Sequence, residues 1–250
     1  MNREDILEAA HQLKTATSLV VLTGAGVSKE SGVPTFRDAL DGLWARYDPQ
    51  QLATPEAFHA NPKLVWDWYA YRRQMVEGVK PNPGHYAIAA LEDLLPQVVV
   101  VTQNIDGLHH QAGSTDIIEL HGNIRRYKCS GNCRGTPTSL DVEDWTNQPT
   151  CPYCGRWVRP DIVWFTEPLP REAIMRAQSL SREADVMLVV GTSGVVHPAA
   201  GLPALAKDAG ACVIDVNPMP DEISALADLF LDGPSGEVLP QIVQAMREAA

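Results

Sequence analysis

The sequence predicts an α/β fold in which a doubly wound parallel sheet carries a smaller lobe made of two insertions. The first observation is a set of short apolar runs rich in β-branched residues, at 18–22, 98–101, 117–120, 186–190 and 213–216. These runs are continuously apolar rather than alternating, as in parallel strands covered on both faces. The second observation is that helical segments separate most of them, and alternating strands and helices predict a doubly wound sheet.

The helices are predicted from apolar residues at helical spacing. Ile6, Leu7, Ala10 and Leu13 share this spacing, so an opening helix is expected that ends near residues 15–17. Further helices are predicted around 85–95, 171–181 and 198–207, and a last one over 239–248.

Two stretches interrupt the alternation. Residues 36–82 are polar, aromatic and helical in parts, whereas residues 125–160 contain four cysteines and few apolar residues. We therefore predict a smaller lobe built from a helical insertion over 36–82 and a metal-binding module over 125–160. The remaining segments, 1–35, 83–124 and 161–250, are predicted to form one Rossmann-like domain.

Composition restricts the class of protein. A chain of 250 residues with 45% apolar and 20% charged residues has the composition of an ordinary globular protein. Its net charge of −11 argues against nucleic acid or an anionic membrane as a partner, because both need a basic face. No apolar run approaches the roughly 18–20 residues that span a bilayer. The first residues lack the features of a signal peptide, so we expect a cytoplasmic protein. The sequence does not determine the oligomeric state, and a monomer is compatible with it.

Four of the five cysteines form two close pairs. Cys129 and Cys133 are followed, after 17 residues, by Cys151 and Cys154. Two short-spaced pairs at such an interval are typical of a tetrahedral Zn²⁺ site, and four thiolates leave no open position, so the metal is expected to be structural. Two disulfides or a nucleic-acid-binding zinc ribbon are the alternatives. The cytoplasmic composition disfavours the disulfides, and weakly basic surroundings disfavour the ribbon.

A glycine loop, Gly24-Ala25-Gly26, directly follows the first predicted strand. Glycines there let the backbone approach a phosphate closely. The dinucleotide motif of dehydrogenases needs a further glycine at position 29, which is Lys29, and an acidic residue about 20 positions after the loop. The loop therefore indicates nucleotide binding but disfavours hydride transfer. Taken alone, it also fits a plain strand-to-helix turn.

Polar residues follow two of the predicted strands. Gln103, Asn104 and Asp106 come after the second strand, and His121 comes after the third. Open α/β sheets bind ligands at the carboxyl ends of their strands, so both clusters are expected to face one crevice. A histidine there suits general-base catalysis near neutral pH. The pattern predicts a nucleotide-dependent enzyme with a histidine base and a structural metal.

Taken together, these motifs resemble the sirtuins, a family of NAD-dependent protein lysine deacylases. The resemblance extends from about residue 18 to 236, with the motifs in family order: 24–28, 32–37, 102–109, 121–122, the two cysteine pairs and 191–193. It implies that the Rossmann-like domain binds NAD and that the module binds one structural Zn²⁺. It also implies that acylated lysine side chains of proteins are the substrates. NAD would be consumed, and nicotinamide and O-acyl-ADP-ribose released.

The resemblance also implies roles for individual residues. His121 would be the general base on a ribose hydroxyl, with Asn104 and Asp106 as the other catalytic residues. The implied NAD contacts are Gly24, Ala25, Gly26 and Ser28 at the pyrophosphate; Phe36 and Arg37 in the loop that shields the reactive ribose; Gln103, Asn104, Ile105 and Asp106 in the nicotinamide and ribose pocket; Gly191, Thr192 and Ser193 at phosphates and ribose; and Asn217, Pro218, Met219 and Ser235 at the adenosine half.

A substrate peptide would lie as an added strand between two segments. One contains Val163, Trp164 and Phe165, and the other contains Val195. The chain departs from the family pattern beside both segments. Thr166 stands where glycine is common, and Gly194 stands where serine is common.

A second resemblance concerns the acyl group. Tyr69 and Arg72 match a Tyr-x-x-Arg pair of the desuccinylase and demalonylase branch, and Ala53 matches its small pocket residue. At i, i+3 on a helix the pair faces one way, and an arginine fork suits a carboxylate. We expect succinyl and malonyl groups to be preferred and acetyl-lysine to remain a substrate. In the alternative, Arg72 and Arg73 form a solvated helix face. Two other functions stay open: an NAD-dependent protein ADP-ribosyltransferase, and a non-catalytic NAD or acyl-lysine binding module.

Overall fold

A computed structural model describes residues 2–33, 48–134 and 139–248. In these ranges the strands are β1 (Ser18–Thr23), β2 (Gln97–Thr102), β3 (Ile117–Glu119), β4 (Gly122–Cys129), β5 (Ser139–Leu140), β6 (Val158–Ile162), β7 (Val186–Val190), β8 (Cys212–Asn217) and β9 (Leu229–Asp232). The helices are α1 (Arg3–Thr15), α2 (Gly26–Lys29), α3 (Pro49–Leu52), α4 (Pro55–Ala60), α5 (Pro62–Glu77), α6 (Pro83–Leu91), α7 (Leu108–Ala112), α8 (Arg171–Glu183), α9 (Leu202–Asp208) and α10 (Ser235–Glu248).

The main sheet has six parallel strands in the order β3-β2-β1-β7-β8-β9. This order confirms the predicted α/β, Rossmann-like fold class. Thr23 at the end of β1 pairs with Thr102 of β2 on one side and Val190 of β7 on the other. The chain order therefore reverses at β1, and the crevice that such a reversal creates lies beyond these three residues.

Both faces of the main sheet are covered, which explains why its strands read as continuous apolar runs. On one face Val21 and Val100 pack with residues of α1, α6 and α10, such as Leu13 and Ile88. On the other face Val20, Leu22 and Val99 pack with Ala177 of α8 and Leu202 of α9. Burial on both sides favours apolar side chains at nearly every position of the central strands.

The smaller lobe contains α3–α5 and a three-stranded antiparallel sheet in the order β5-β4-β6. Helix α5 begins at Pro62 and is capped by Asn61, whose side chain accepts a hydrogen bond from the Leu64 amide. A hydrophobic cluster joins Trp68 and Tyr69 of α5 to Ile124 of β4 and Ile162 of β6. Strands β4 and β6 extend a few residues beyond 125–160, and the predicted domain borders themselves remain a prediction.

Several element bounds differ from the predicted ones. Strand β9 was not predicted, α6 ends at Leu91 rather than residue 95, and the segment at 198–207 begins as a 3-10 turn before α9. Helix α10 begins at Ser235 rather than residue 239. The Glu30 carboxylate accepts hydrogen bonds from the Ser235 hydroxyl and the Gly236 amide, and these contacts stabilise the earlier start. Across the ranges described, no helix combines the length and apolarity needed to cross a membrane.

Candidate functional site

The loops after β1 and β7 meet backbone to backbone. The Gly24 amide donates to the Val190 carbonyl at 3.1 Å, and the Gly26 amide donates to the Gly191 carbonyl at 2.7 Å. A Cβ atom at Gly26 would lie 2.6 Å from the Gly191 oxygen, and one at Gly191 would lie 2.4 Å from the Val27 nitrogen. Gly191 also has a φ of +60°. Only glycine fits both positions, and the result is a cradle without side chains, whose backbone a pyrophosphate can approach closely.

Polar side chains from three segments converge beside this cradle. Asn104 donates its side-chain amide to the Gly24 carbonyl at 3.0 Å and to the Ser28 hydroxyl at 3.1 Å. Ser28 in turn donates to the Asp106 carboxylate at 2.8 Å. Burial raises the pKa of Asp106, while hydrogen bonds from the Leu108 amide and Ser28 oppose that rise. The predicted residues Ser28, Asn104 and Asp106 therefore form one connected, buried cluster.

His121 is held from the adjacent strand end. Its Nδ1 lies 2.9 Å from the Gln103 carbonyl oxygen. Burial lowers the pKa of His121, and the hydrogen bond to Gln103 opposes this shift. At neutral pH the imidazole is therefore uncharged, which is the form that a general base needs.

The strand ends are tied together across the crevice. The Gln103 side-chain amide donates to the Thr192 hydroxyl at 3.0 Å, and the Asn217 amide donates to the Thr192 carbonyl at 3.1 Å. Asn217 also donates to Asp221 at 2.8 Å. The carboxyl ends of β2, β7 and β8 thus form one polar edge. Beside it lies a cleft of about 330 Å³, lined by Gly26, Lys29, Glu30, Gly191, Val216, Pro218, Pro234 and Ser235.

A buried apolar cluster adjoins the site on the small-lobe side. The Phe165 amide donates to the Ala53 carbonyl at 2.9 Å, so the segment around Trp164 is fixed against the helical insertion. The Trp164 ring lies 5.1 Å from that of Phe58 and 6.2 Å from that of Tyr69, centroid to centroid. Ala53, Tyr69 and Trp164 are all buried. The structure brings these three predicted substrate residues together in one cluster.

Tyr69 and Arg72 interact electrostatically on α5. Burial raises the pKa of Tyr69 to about 12, and the charge of Arg72 opposes this rise. The phenol is therefore protonated at neutral pH and is a hydrogen-bond donor. Burial also lowers the pKa of Arg72, whose guanidinium carbon lies 5.1 Å from the centroid of the Trp68 ring. An arginine keeps its charge in such surroundings, so a half-buried cation lies beside the apolar cluster.

Arg73, the neighbouring cation, has a different position. Its guanidinium carbon lies 5.2 Å from the Tyr127 ring centroid and 5.0 Å from that of Trp145, and it donates a hydrogen bond to the Tyr127 hydroxyl. Arg73 therefore joins α5 to the cysteine module. The two adjacent arginines contact different surroundings, which does not fit a single solvated helix face.

The four paired cysteines form one cluster. Their sulfur atoms all lie within 4.8 Å of one another, with 3.5 Å between Cys129 and Cys154 and 3.7 Å between Cys133 and Cys151. A tetrahedron of thiolates about 2.3 Å from Zn²⁺ has edges of about 3.8 Å, so the cluster fits the ion. The cysteines are not joined as disulfides, and the Gly131 amide donates to the Cys129 sulfur at 3.3 Å. These donors confirm the predicted structural Zn²⁺ site.

Other predicted residues lie at the rim of the site or outside the described part of the chain. Val195 and Met219 are 44% and 73% exposed, and Phe165 is also exposed. Ala25 is exposed at the top of the glycine loop, whereas Ile105, Val163 and Ser193 are half-buried. Phe36 and Arg37 lie outside the described residues. Thr166 has a φ of +71°, a conformation that favours glycine, and Gly194 has a φ of +69°.

Two buried histidines beside the site were not singled out from the sequence. His85 of α6 lies 3.4 Å from the Ser28 hydroxyl through Nε2, and His109 of α7 lies 3.0 Å from the Thr23 hydroxyl. Their rings are 5.0 Å apart. Burial lowers the pKa of His85 to about 4 and that of His109 to about 3, so both are neutral. His109 belongs to the 102–109 motif, although no role was predicted for it. His85 lies in a stretch predicted only as a helix, and no motif in the sequence marks it as a site residue.

Comparisons with known proteins agree with this geometry. The Sir2 family model matches residues 24–198. A protein of Pyrococcus abyssi named NAD-dependent protein deacylase is 50% identical over 247 residues, which cover 97% of this chain and 98% of that protein. The crystal structure of a Sir2 homologue–NAD complex is similar, with 43% identity, a TM-score of 0.89 and coverage of 97% of this chain and 94% of that chain. The structure of Sir2Af2 bound to a myristoylated histone peptide has 36% identity and a TM-score of 0.80, and covers 99% and 98% of the two chains.

Proposed function

The chain belongs to the Sir2 family, and we propose that this NAD-dependent protein-lysine deacylase acts preferentially on succinyl- and malonyl-lysine. One observation carries the preference. Tyr69 and Arg72 interact on α5 within the apolar cluster that contains Ala53 and Trp164. A protonated phenol and a guanidinium in one pocket are suited to an acyl group that ends in a carboxylate.

The chemistry of the pair supports this choice. A guanidinium donates two parallel hydrogen bonds to a carboxylate, and the Tyr69 hydroxyl adds a third donor. In a partly desolvated pocket a hydrogen bond to a charged group contributes roughly 1.5–3 kcal/mol, which is about one to two decades in rate. An acetyl group lacks this contact but still fits the space, so acetyl-lysine remains a slower substrate.

For the reaction itself, we assign the following roles. NAD supplies an activated ribose that accepts the acyl oxygen as nicotinamide leaves. The cradle of Gly24, Gly26 and Gly191 binds the pyrophosphate, and Asn104 and Asp106 orient the nicotinamide ribose. His121 takes a proton from a ribose hydroxyl through Nε2, because its Nδ1 is engaged by the Gln103 carbonyl.

The peptide that carries the acyl-lysine is proposed to add as a strand beside Val163, Trp164 and Phe165. Trp164 is fixed from two sides. Its backbone amide donates to Glu167 at 2.9 Å, and the Arg159 guanidinium, paired with Glu167, lies 3.2 Å from the ring centroid. A rigid indole at this point excludes water, which would otherwise hydrolyse the activated ribose.

A competition assay tests the preference. One peptide sequence is prepared with acetyl-, succinyl- or myristoyl-lysine, mixed in equal amounts with NAD, and the products are followed by mass spectrometry. We expect succinyl to be lost faster than acetyl, with O-succinyl-ADP-ribose formed. Faster loss of acetyl or of the myristoyl group would overturn the carboxylate preference while leaving the deacylase function intact. ADP-ribose left on protein, without deacylation, would indicate a transferase.

A further inference from the structure

The cleft of about 330 Å³ beside the glycine cradle contains an acidic residue whose role so far is only structural, at the start of α10. Glu30 lines this cleft together with Gly26, Gly191 and Pro218, and it follows α2 directly. Under the proposed function, this cleft would hold the adenosine half of NAD. It adjoins the glycine cradle at Gly26 and Gly191, and it lies at the carboxyl ends of β7 and β8. The following inference rests on that proposed function.

Glu30 is fixed in place rather than free to swing away. Its Oε1 accepts hydrogen bonds from the Ser235 hydroxyl and from the Gly236 amide, both at 2.9 Å. A Cβ atom at Gly236 would lie 2.5 Å from the Glu30 Oε2 atom, so the carboxylate packs directly against the backbone of Gly236. The carboxylate thus occupies the first turn of α10, a helix of 14 residues.

The same two donors are those that a phosphate would use. Backbone amides and a serine hydroxyl at the start of a long helix form a favourable phosphate site. Here both donors are already engaged by a carboxylate, and a second anion beside it would be repelled. Lys29 also lines the cleft, so one cation remains nearby for the pyrophosphate.

Dinucleotide-binding sheets usually place an acidic residue at the end of the second strand, where it accepts the adenosine ribose hydroxyl and disfavours a 2′-phosphate. In this chain β2 ends at Thr102 and is followed by Gln103, so that carboxylate is missing. We infer that Glu30 supplies it from the end of α2 and selects NAD over NADP as the co-substrate.

Binding measurements test this without depending on turnover. ADP-ribose and 2′-phospho-ADP-ribose are titrated by calorimetry into the wild type, Glu30→Gln and Glu30→Ala. The wild type is expected to favour ADP-ribose, and Glu30→Ala is expected to reduce this ratio of affinities by about tenfold, or about 1.4 kcal/mol. Glu30→Gln, which loses the charge but keeps an acceptor for Ser235, is expected to fall between the two. Turnover of an acetyl-lysine peptide gives a second readout. The kcat/KM for NAD divided by that for NADP should fall from the wild type to Glu30→Gln and further to Glu30→Ala.

Glu237→Gln is the matched control, because Glu237 is an exposed residue in the same first turn of α10 and its loss changes the net charge equally. It should leave the ratio unchanged. An unchanged ratio in both Glu30 variants, or an equal change in Glu237→Gln, would overturn the role of Glu30. A folded wild type that binds neither nucleotide would instead contradict the proposed function.

Discussion

The Nδ1 atom of His121 lies 2.9 Å from the backbone carbonyl oxygen of Gln103. A carbonyl oxygen can only accept a hydrogen bond, so Nδ1 carries the proton and Nε2 is left as the basic nitrogen. The residue that holds the imidazole is itself bonded through its side chain to Thr192 at the end of β7. The tautomer of the base is therefore set by the same strand ends that form the crevice.

Replacement of His121 by alanine is expected to abolish deacylation, with a loss of at least about 10²-fold, because general-base catalysis typically contributes 10²–10⁴. The wild type should lose kcat/KM as pH falls, with the midpoint below pH 6.5, because burial lowers the pKa of His121 and only the neutral ring accepts a proton. Steady-state kinetics between pH 5 and 8 measure both effects. His110→Ala is the control, since His110 is exposed and contacts Glu119 instead. Normal turnover by His121→Ala would remove the proposed mechanism.

Replacement of Arg72 by methionine is expected to lower desuccinylation by roughly 10- to 100-fold and deacetylation by much less. The charged contact of 1.5–3 kcal/mol would be lost only for the substrate that ends in a carboxylate. Arg176→Met is the matched control. Arg176 is an exposed residue of α8 that pairs with Asp116, and its replacement removes the same charge from the main domain rather than from α5. The test compares the rates at which the wild type and each variant deacylate succinyl- and acetyl-lysine peptides at equal concentration. Equal losses on both would refute a carboxylate-reading role for Arg72.

The main sheet could be predicted from the sequence because burial on both faces leaves an unbroken apolar run in each strand. Val98–Val101, for example, packs against α6 on one face and against the cluster of α8 and α9 on the other. The zinc cluster could also be predicted from the sequence, because the spacing of the four cysteines along the chain reflects the tetrahedral geometry of the ion. Strand β9 was not predicted because it is only four residues long and only one of its four residues is buried.

The small lobe could not be predicted in the same way. Strand β4 (Gly122–Cys129) contains two adjacent arginines, one half-buried and one exposed. Its sequence therefore shows neither a continuous apolar run nor a strict alternation of apolar and polar residues. Its stability depends on contacts between distant segments, such as Arg73 on the rings of Tyr127 and Trp145. His85 was missed for a related reason: its contact with Ser28 joins residues 57 positions apart.

Loss of one zinc ligand is expected to destabilise the cysteine module. Cys133→Ser should reduce bound zinc from one ion per chain to near zero and lower the thermal midpoint, because the metal stabilises a module with few apolar residues. Metal content by mass spectrometry and thermal unfolding measure the two effects. Cys212→Ser is the control, since Cys212 lies in β8, outside the cluster. Retention of a full zinc ion by Cys133→Ser would contradict the four-cysteine site.

Asp215 gives a pH-dependent prediction for stability. It is fully buried in β8, and burial raises the pKa of its carboxyl to about 6, although Ser224 donates to it at 2.6 Å and opposes the shift. Its Oδ1 has no partner within the described residues. The folded protein therefore binds this proton more tightly than the unfolded chain. The stabilisation is full below about pH 4 and is lost as pH rises to about 6.

Asp215→Asn removes the titrating group and keeps an acceptor for Ser224. Relative to the wild type, the variant should gain up to about 3 kcal/mol of unfolding free energy between pH 4 and pH 8. Asp228→Asn should show the opposite trend. Burial alone would raise the pKa of Asp228, but hydrogen bonds from Lys207 and the Val213 amide lower it. Urea unfolding of the three proteins at several pH values compares them, and because zinc is common to all three, its own pH dependence cancels in the differences. Parallel curves for the wild type and Asp215→Asn would show that Asp215 is ionised in the folded state, against the expected effect of its burial.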